Sequence, residues 1–296
     1  MTPLIARLFR YPVKGCAGTE LREAVVTPAG VEHDRTFMAV GEDGVFRSQR
    51  RHPVLAVVRP VLADDGRMLA LSAPGVEPLR LPVRFDGPRL PVSVFTWDGA
   101  GVDQGDEAAE WFSTVLGAPS RLVRVPPEHS RVTSGETPGT TGFADAHALH
   151  VASESSLDHL NSRIASDGGT PVPIDRFRPN IVLSNVDEPH FEDRIRRMAA
   201  GSAELAYAKV AIRCPVPMVD QATGRKAGKE PIRTLAGYRR EPDGGVSFGI
   251  KAAVLRPGQL AKGDEVMVTS WSSESARAAA AEPPLTATAS RPPESV

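Results

Sequence analysis

The sequence predicts an α+β fold that is rich in β-strands, with barrel-like or sandwich-like sheets and few helices. Short apolar segments recur through residues 4–94, and each ends at a turn rich in glycine, proline or aspartate. Long stretches of helical periodicity, in contrast, are confined to residues 106–116 and 153–164. A parallel sheet built from alternating strands and helices would need more helix, so a barrel or sandwich is favoured.

The composition limits the size and class of the protein. A chain of 296 residues suits one large or two ordinary domains. With Lys+Arg 35 against Asp+Glu 36, it has no electrostatic footprint for nucleic acid. Two cysteines exclude a disulfide framework, and neither a signal peptide nor a bilayer-length apolar run is present. We therefore expect a cytoplasmic protein that binds neither nucleic acid nor a membrane.

Residues 1–119 are expected to form one β-rich domain. Its predicted strands span residues 4–9, 21–27, 37–40, 54–62 and 68–72. Glycine-containing turns at residues 41–44 and 64–67 suit hairpins because glycine tolerates positive φ. The first helix is predicted to start with Asp106 as its N-cap and to end at Gly117, with an apolar stripe between them.

Residues 120–269 are expected to form a second domain, followed by a disordered tail over residues 270–296. The predicted strands span residues 121–125, 148–152, 181–183, 205–213, 248–254 and 265–268. Helices are predicted at residues 153–164, where Ser153 is the helix-start signal, and at residues 233–238. Residues 126–142 are rich in Pro, Gly, Ser and Thr without a period, which indicates a mobile or functional loop.

Cys214 lies where a predicted strand runs into a proline-bounded turn. Alternation of apolar and polar residues over 207–213 predicts that Ile212 and Cys214 lie on the same face of the strand. Pro215 and Pro217 remove two ladder donors, so the backbone leaves the sheet or becomes its edge. A thiol in this position is a candidate nucleophile and soft metal ligand. The alternative is a small buried hydrophobic residue.

Basic and amide side chains also stand at predicted strand ends, where they could hold a phosphate or another anion. They are Lys14, Arg35, Arg178, Asn180 and Arg213. Taken separately, each is more typical of a solvated surface position. Their convergence with the thiol of Cys214 would define a site, but spacing along the chain does not show convergence.

Two other uses of the cysteine and histidines are open at this point. His147 and His150 are three residues apart, and on a strand such positions face opposite ways, which disfavours zinc. A hydrolase needs only a histidine near Cys214 in space. Pro215 cannot supply the amide of an oxyanion hole, so the hydrolase is the weaker alternative.

Several motifs, in order along residues 4–268, resemble those of MOSC proteins, whose domain is named from the C-terminal part of molybdenum-cofactor sulfurases. They are Tyr11-Pro12-Val13-Lys14-Gly15-Cys16, Thr27-Pro28-Ala29-Gly30 to Asp34-Arg35, Arg50-Arg51-His52-Pro53, Phe177-Arg178-Pro179-Asn180, Cys214 with Val219-Asp220, Glu230-Pro231-Ile232-Arg233 and Gly263-Asp264-Glu265-Val266. The resemblance implies an N-terminal β-barrel-like domain packed on a MOSC-type β-barrel domain with peripheral helices.

The resemblance also implies a molybdenum cofactor, Mo-molybdopterin, held between the two domains. Cys214 would be the molybdenum ligand and a catalytic residue, and Asp220 a second catalytic candidate near the metal. Lys14, Arg35, Arg178 and Asn180 would bind the cofactor, and Arg213, beside the thiol, is a fifth cofactor-binding candidate. The sequence departs from many relatives at Ala211, where they have a cysteine, and at residues 146–148, where they often have a serine.

The implied activity is reduction of small N-hydroxylated or N-oxide compounds, as in amidoxime-reducing proteins. No cysteines follow Cys214, so an iron–sulfur module there is not expected. We therefore expect electrons to come from a separate protein of the ferredoxin or flavin reductase type. The alternative function is a non-catalytic carrier of the cofactor, or of sulfur as a Cys214 persulfide.

Overall fold

Residues 1–272 are described by a computed structural model, and β-strands dominate them. The strands are β1 (Leu4–Arg10), β2 (Val13–Lys14), β3 (Thr19–Leu21), β4 (Glu23–Thr27), β5 (Gly30–Val31), β6 (Phe37–Val40), β7 (Arg59–Ala63), β8 (Met68–Ala73), β9 (Val76–Pro82), β10 (Arg89–Val94), β11 (Trp97–Asp103), β12 (Arg121–Arg124), β13 (Leu149–Ser153), β14 (Ile181–Ser184), β15 (Ile195–Ala200), β16 (Ala203–Arg213), β17 (Val219–Asp220), β18 (Arg225–Lys226), β19 (Val246–Arg256), β20 (Gly258–Ala261) and β21 (Val266–Trp271). The α-helices of this part are α1 (Asp106–Leu116), α2 (Glu154–Ser166) and α3 (Ile232–Leu235). The predicted β-rich α+β class is confirmed.

The larger sheet has eight strands in the order β21-β15-β16-β19-β13-β14-β1-β3. Strands β13 and β14 pair in parallel and are almost wholly buried, as expected for strands covered on both faces. Backbone hydrogen bonds between residues 3–5 and residues 263–266 join β1 to the start of β21. This pairing curls the sheet into a barrel around an apolar core that includes Leu8, Leu183 and Ile250.

The second sheet has five strands in the order β10-β11-β12-β6-β2. Val45 bridges to Ser93 on β10 and Phe46 bridges to Val40 on β6, so the short 45–46 segment links the two sides of the sheet. Helix α1 packs onto this unit with the rings of Trp111 and Phe112. Burial of these apolar rings therefore holds the helix against the strands.

Sheet pairing crosses the predicted domain division at residue 119 in both directions. Strand β1, from the N-terminal part, pairs with β14 in the larger sheet. Strand β12, which follows residue 119, pairs with β6 and β11 in the five-stranded sheet. The division itself stays a prediction, but this exchange of strands joins the two sheets into one scaffold.

Several predicted boundaries are wrong, each for a local reason. Residues 54–62 are not one strand, because Pro53–Val57 form a 3₁₀ turn that buries Leu55 and Ala56. Residues 21–27 are split at Arg22, since β3 pairs with β1 whereas β4 pairs with β20. The predicted N-cap Asp106 is the first helical residue, and Gly105, with φ of 96°, occupies the cap.

The strand before Cys214 also differs in detail. A register shift between Val210 and Ile212 interrupts the alternation, so Ile212 is 46% exposed while Ala211 is buried. The predicted helix at 233–238 is shorter, ending at Leu235. Strand β15 was not predicted, and β21 continues through Trp271 into the predicted tail. The remainder of that tail lies outside the described residues.

Two predicted helix signals are confirmed. The hydroxyl of Ser153 accepts a hydrogen bond from the backbone amide of Ser156, which makes Ser153 the N-cap of α2. Gly117 ends α1 in the left-handed conformation, with φ of 62°.

Candidate functional site

A cavity of about 550 Å³ lies where the two sheets meet, and it brings the predicted residues together. Its wall includes Cys214 and all five predicted cofactor-binding residues, which are Lys14, Arg35, Arg178, Asn180 and Arg213. They arrive from separate elements: Lys14 ends β2, Arg213 ends β16, and Asn180 immediately precedes β14. The convergence that spacing could not establish is therefore present in the structure.

Arg35 and Asn180 line the cavity and are joined by a hydrogen bond. Arg35 donates from Nη1 to Asn180 Oδ1 at 3.1 Å and from Nη2 to the carbonyl of Arg178 at 3.2 Å. The guanidinium is also paired with the buried carboxylate of Asp34. Asn180 Nδ2 donates to the carbonyl of Phe9, and its Oδ1 also accepts from the His150 amide. This network fixes the guanidinium in one orientation.

Tyr11 lies between the two arginines of the site. The guanidinium carbons of Arg35 and Arg178 are 4.5 Å and 4.3 Å from its ring centroid. Both arginines have left-handed backbone conformations, with φ of 47° and 55°. Such values are uncommon outside glycine and concentrate at functional sites. The Tyr11 hydroxyl donates to the carbonyl of Pro179, which completes the clamp.

Lys14 is held by an aspartate and by aromatic rings. Its ammonium is ion-paired with Asp145, and its Nζ lies 4.8 Å from the centroid of the Phe46 ring. Burial lowers the pKa of Lys14, although Asp145 acts in the opposite direction. Burial would raise the pKa of Asp145, but Lys14 and other cations bring it below its ordinary value. Lys14 therefore enters the cavity as a paired ammonium.

Cys214 and Arg213 lie in the cavity wall at the end of β16. Cys214 is half-buried and unpaired with any other cysteine. Arg213 donates from Nη2 to the carbonyl of Phe177 at 2.8 Å. Burial lowers the pKa of Arg213, and its proximity to Cys214 opposes that effect. The ring of Phe177 stacks on Phe248 with centroids 3.8 Å apart, giving this wall a rigid apolar backing.

Asp220 is not part of the cavity wall. Its Oδ1 accepts hydrogen bonds from the amides of Ala222 and Thr223 and from the Thr223 hydroxyl. Its Oδ2 accepts from Arg176 Nη2 at 3.0 Å. These contacts shape the turn after Cys214. The catalytic role of Asp220 stays a prediction, and its contacts are those of a turn-forming residue.

Sequence reasoning missed several residues of the cavity wall. Lys209 and Lys251 face it from β16 and β19. Burial, together with Arg213 and Arg35, lowers the pKa of Lys251 to about 7. On the sequence, each lysine is one charged residue in an alternating strand, the usual sign of a solvated face. Only the cross-strand register shows that the two meet.

His147 and His150 also line the cavity, contrary to the expectation that they face opposite ways. The reason is that His147 precedes β13, so strand alternation does not apply to it. Burial lowers the pKa of His147 to about 4 and that of His150 well below its ordinary value. Both imidazoles are therefore neutral at physiological pH.

Residues 126–142 stay largely irregular, and residues 144–147, just after them, border the cavity.

The chemistry of the wall fits an anionic group that carries a soft metal. Among the described residues, the wall holds eight lysines and arginines and a single carboxylate, that of Asp145. Arg178 Nη2 and Arg213 Nε are buried without a hydrogen-bond partner in this part of the chain. Buried donors without acceptors are costly, and an anion would satisfy them. The half-buried thiol of Cys214 adds the soft donor.

Comparison with known families gives this arrangement a context. The MOSC N-terminal beta barrel domain matches residues 2–119, and the MOSC domain matches residues 138–267. The chain therefore belongs to the MOSC-domain proteins, as its motifs predicted.

Two relatives of known type are similar to this chain over most of its length. The chain is 33% identical over 283 residues to mitochondrial amidoxime-reducing component 1 of Mus musculus, which covers 88% of this chain and 81% of the relative. It is 31% identical over 267 residues to the molybdenum cofactor sulfurase of Danio rerio, covering 84% of this chain but 32% of the sulfurase. Among solved structures, the YuaD protein from Bacillus subtilis aligns over 90% of this chain and 94% of its own, with 12% identity and a TM-score of 0.41.

Among the helices of residues 1–272, none combines the length and the apolar character that a membrane-spanning helix needs.

Proposed function

We propose that this protein is a molybdenum-cofactor-dependent reductase of N-hydroxylated or N-oxide compounds. The observation that carries the proposal is the placement of the Cys214 thiol in a cavity lined by eight lysine and arginine side chains. A thiolate suits a metal that sulfur ligands already bind, and the cations suit the anionic parts of the cofactor. The names of the relatives, amidoxime-reducing component and molybdenum cofactor sulfurase, support the same choice.

The contacts of each predicted cofactor-binding residue indicate the role that it would have in binding the cofactor. Within residues 1–272, Arg178 Nη2 and Arg213 Nε are buried without a hydrogen-bond partner, and they would donate to the pterin phosphate or ring. Arg35, already fixed by Asn180 and Asp34, would supply a positive charge at a set position. Lys14 would contribute charge from β2 of the five-stranded sheet. Cys214 would be the protein ligand to molybdenum.

When bound, the cofactor would supply the electron pair that breaks the N–O bond, with the oxygen leaving as water after protons are added. The chain's own contribution is positioning. The stacked rings of Phe177 and Phe248 support the wall that carries Arg213. The histidines at the cavity are neutral and can orient a substrate by hydrogen bonding without adding charge. We propose that Asp220 holds the cysteine turn in place through Arg176.

The electron donor is proposed to be a separate protein of the ferredoxin or flavin reductase type. A cytoplasmic location likewise stays a proposal, since the names of the amidoxime-reducing relatives include the word mitochondrial.

The proposal is tested with the full chain from a cofactor-producing host. Molybdenum and pterin content are measured together with reduction of benzamidoxime by a chemically reduced viologen dye. We expect near-stoichiometric cofactor and activity in the native protein, and loss of activity in Cys214→Ala. Cys16→Ala is the matched control, because Cys16 is buried outside the cavity wall.

Absence of both molybdenum and pterin from the native protein would contradict the proposal. Cofactor without any reduction of N-hydroxylated compounds would instead favour the carrier function.

A further inference from the structure

Two lysines of the cavity wall lie directly opposite each other on neighbouring strands. Lys209 on β16 and Lys251 on β19 are cross-strand partners, next to a register shift at Tyr207–Lys209. Cross-strand partners point to the same face of a sheet, and here that face borders the cavity. Like charges in such a position repel each other.

No ion pair within the described residues relieves this repulsion, and the carboxylate of Asp145 offsets it only in part. Neither ammonium has a carboxylate within ion-pair distance among residues 1–272, and the carboxylate of the cavity wall, Asp145, is paired with Lys14. Arg213 lies close enough to lower the pKa of Lys251 further. A cavity that holds two lysine side chains opposite each other suits a ligand that brings negative charge and favours the charged form of both.

We propose that Lys209 and Lys251 form an anion subsite that binds a carboxylate or phosphate carried by the substrate. This inference rests on the proposed reductase function and narrows its substrates to N-hydroxylated compounds with an anionic group. The shared chemistry, a negatively charged oxygen group, could also belong to the cofactor phosphate. Experiments must therefore distinguish these two sources.

The position of the pair favours the substrate. Lys209 is exposed and Lys251 half-buried, whereas Lys14 and Arg178 are buried. Exposed Ile212 and Phe95, 46% and 50% accessible, also border the cavity. The side of the cavity that reaches solvent is where a diffusing compound enters and where an anion would be selected.

The test compares two probes that differ by one charge, neutral benzamidoxime and its 4-carboxylate derivative. Their dissociation constants are measured by calorimetry on the cofactor-loaded full chain without an electron donor, so that no turnover occurs. We expect the native protein to bind the carboxylate probe at least about tenfold more tightly, the scale of a charge-assisted hydrogen bond. Added salt should reduce this preference because Lys209 is exposed.

In the double variant Lys209→Gln/Lys251→Gln, the ratio of the two affinities should fall to near one. The charge-preserving variant Lys209→Arg/Lys251→Arg should retain most of the preference and shows whether the sheet tolerates substitution. Lys262→Gln, at an exposed lysine outside the cavity, is the matched control and should leave both affinities unchanged.

Pterin and molybdenum contents of every variant identify the source of the anion. Contents equal to native, with the preference lost, support the substrate subsite. Loss of pterin in the Gln variant while the arginine variant keeps it would assign the pair to the cofactor phosphate and overturn the inference. A preference that is absent from the native protein, or survives in the Gln variant, would overturn it as well.

The failure of the reductase proposal is distinguishable from these outcomes. If the viologen assay shows no reduction of either probe, but the calorimetry still shows lysine-dependent binding of the carboxylate probe, the reductase function is wrong and the anion subsite stands.

Discussion

Replacing Arg35 by glutamine should destabilise the protein mainly by stranding the carboxylate of Asp34. The Asp34 side chain is 2% exposed and that of Arg35 14% exposed. Asp34 also accepts a hydrogen bond from the Tyr11 amide at 2.8 Å, so it cannot turn towards solvent without breaking a second contact. Removing one member of a buried ion pair costs about 3–5 kcal/mol, whereas replacing both members costs much less.

The magnitude is obtained from a double-mutant cycle. We expect Arg35→Gln to lower the free energy of unfolding by about 3 kcal/mol. In Asp34→Asn/Arg35→Gln, the asparagine oxygen can still accept from the Tyr11 amide, and the stranded charge is gone. The double variant should therefore be more stable than Arg35→Gln alone, with a coupling energy of about 2 kcal/mol.

The assay is urea unfolding of the full chain from a host that makes no cofactor, because a bound ligand would add its own stabilisation. Three variants and the native protein are compared by their midpoints and slopes. A double variant whose loss equals the sum of the two single losses would refute the reasoning. In that case Arg35 would contribute through its bonds to Asn180 and Arg178 rather than by neutralising Asp34.

Three further predictions concern other parts of the molecule. Burial raises the pKa of the Glu192 carboxyl, so the folded protein retains a proton that the unfolded chain releases, and the free energy of unfolding falls as pH rises through the raised pKa. In Glu192→Gln, the melting temperature should therefore depend less on pH between pH 5 and 8 than in the native protein. Arg131 donates hydrogen bonds to three backbone carbonyls of residues 142–145. The substitution Arg131→Met should therefore lower the free energy of unfolding by about 2 kcal/mol and speed proteolysis of that segment. Burial raises the pKa of Cys16 to about 12, so in folded protein from a host that makes no cofactor iodoacetamide should modify half-buried Cys214, and Cys16 only after unfolding, as read by peptide mass spectrometry.

Each of these predictions has a contradicting result. Equal pH dependence in Glu192→Gln and native protein would show that another group titrates. Unchanged proteolysis in Arg131→Met would show that the backbone contacts of the segment suffice. Alkylation of Cys16 in folded protein would show that its 0% exposure does not persist in solution.

The candidate site could be predicted from the sequence to the extent that its residues stand at strand ends. Lys14, Arg178 and Arg213 are charged residues beside turns, where backbone leaves a sheet and side chains can converge. Local chemistry marked them, and the structure adds that they belong to one cavity. Asp220 shows the limit, because its closeness to Cys214 along the chain does not bring its carboxylate to the cavity.

What the sequence could not supply depends on pairing between distant strands. Lys209 and Lys251 are 42 positions apart along the numbering of the chain and meet only through the register of β16 with β19. The exposed position of Ile212 depends on a register shift that no local pattern encodes. Long-range pairing is chosen by the whole core, so local propensity does not determine it.

The central claim, that Cys214 binds the metal of a molybdenum cofactor in this cavity, is tested most directly by X-ray absorption at the molybdenum edge. Native protein and Cys214→Ser are loaded in the same host and compared at equal metal content. The account predicts that the variant has one sulfur ligand fewer, with oxygen in its place. Native protein without molybdenum, or identical sulfur coordination in both samples, would contradict it.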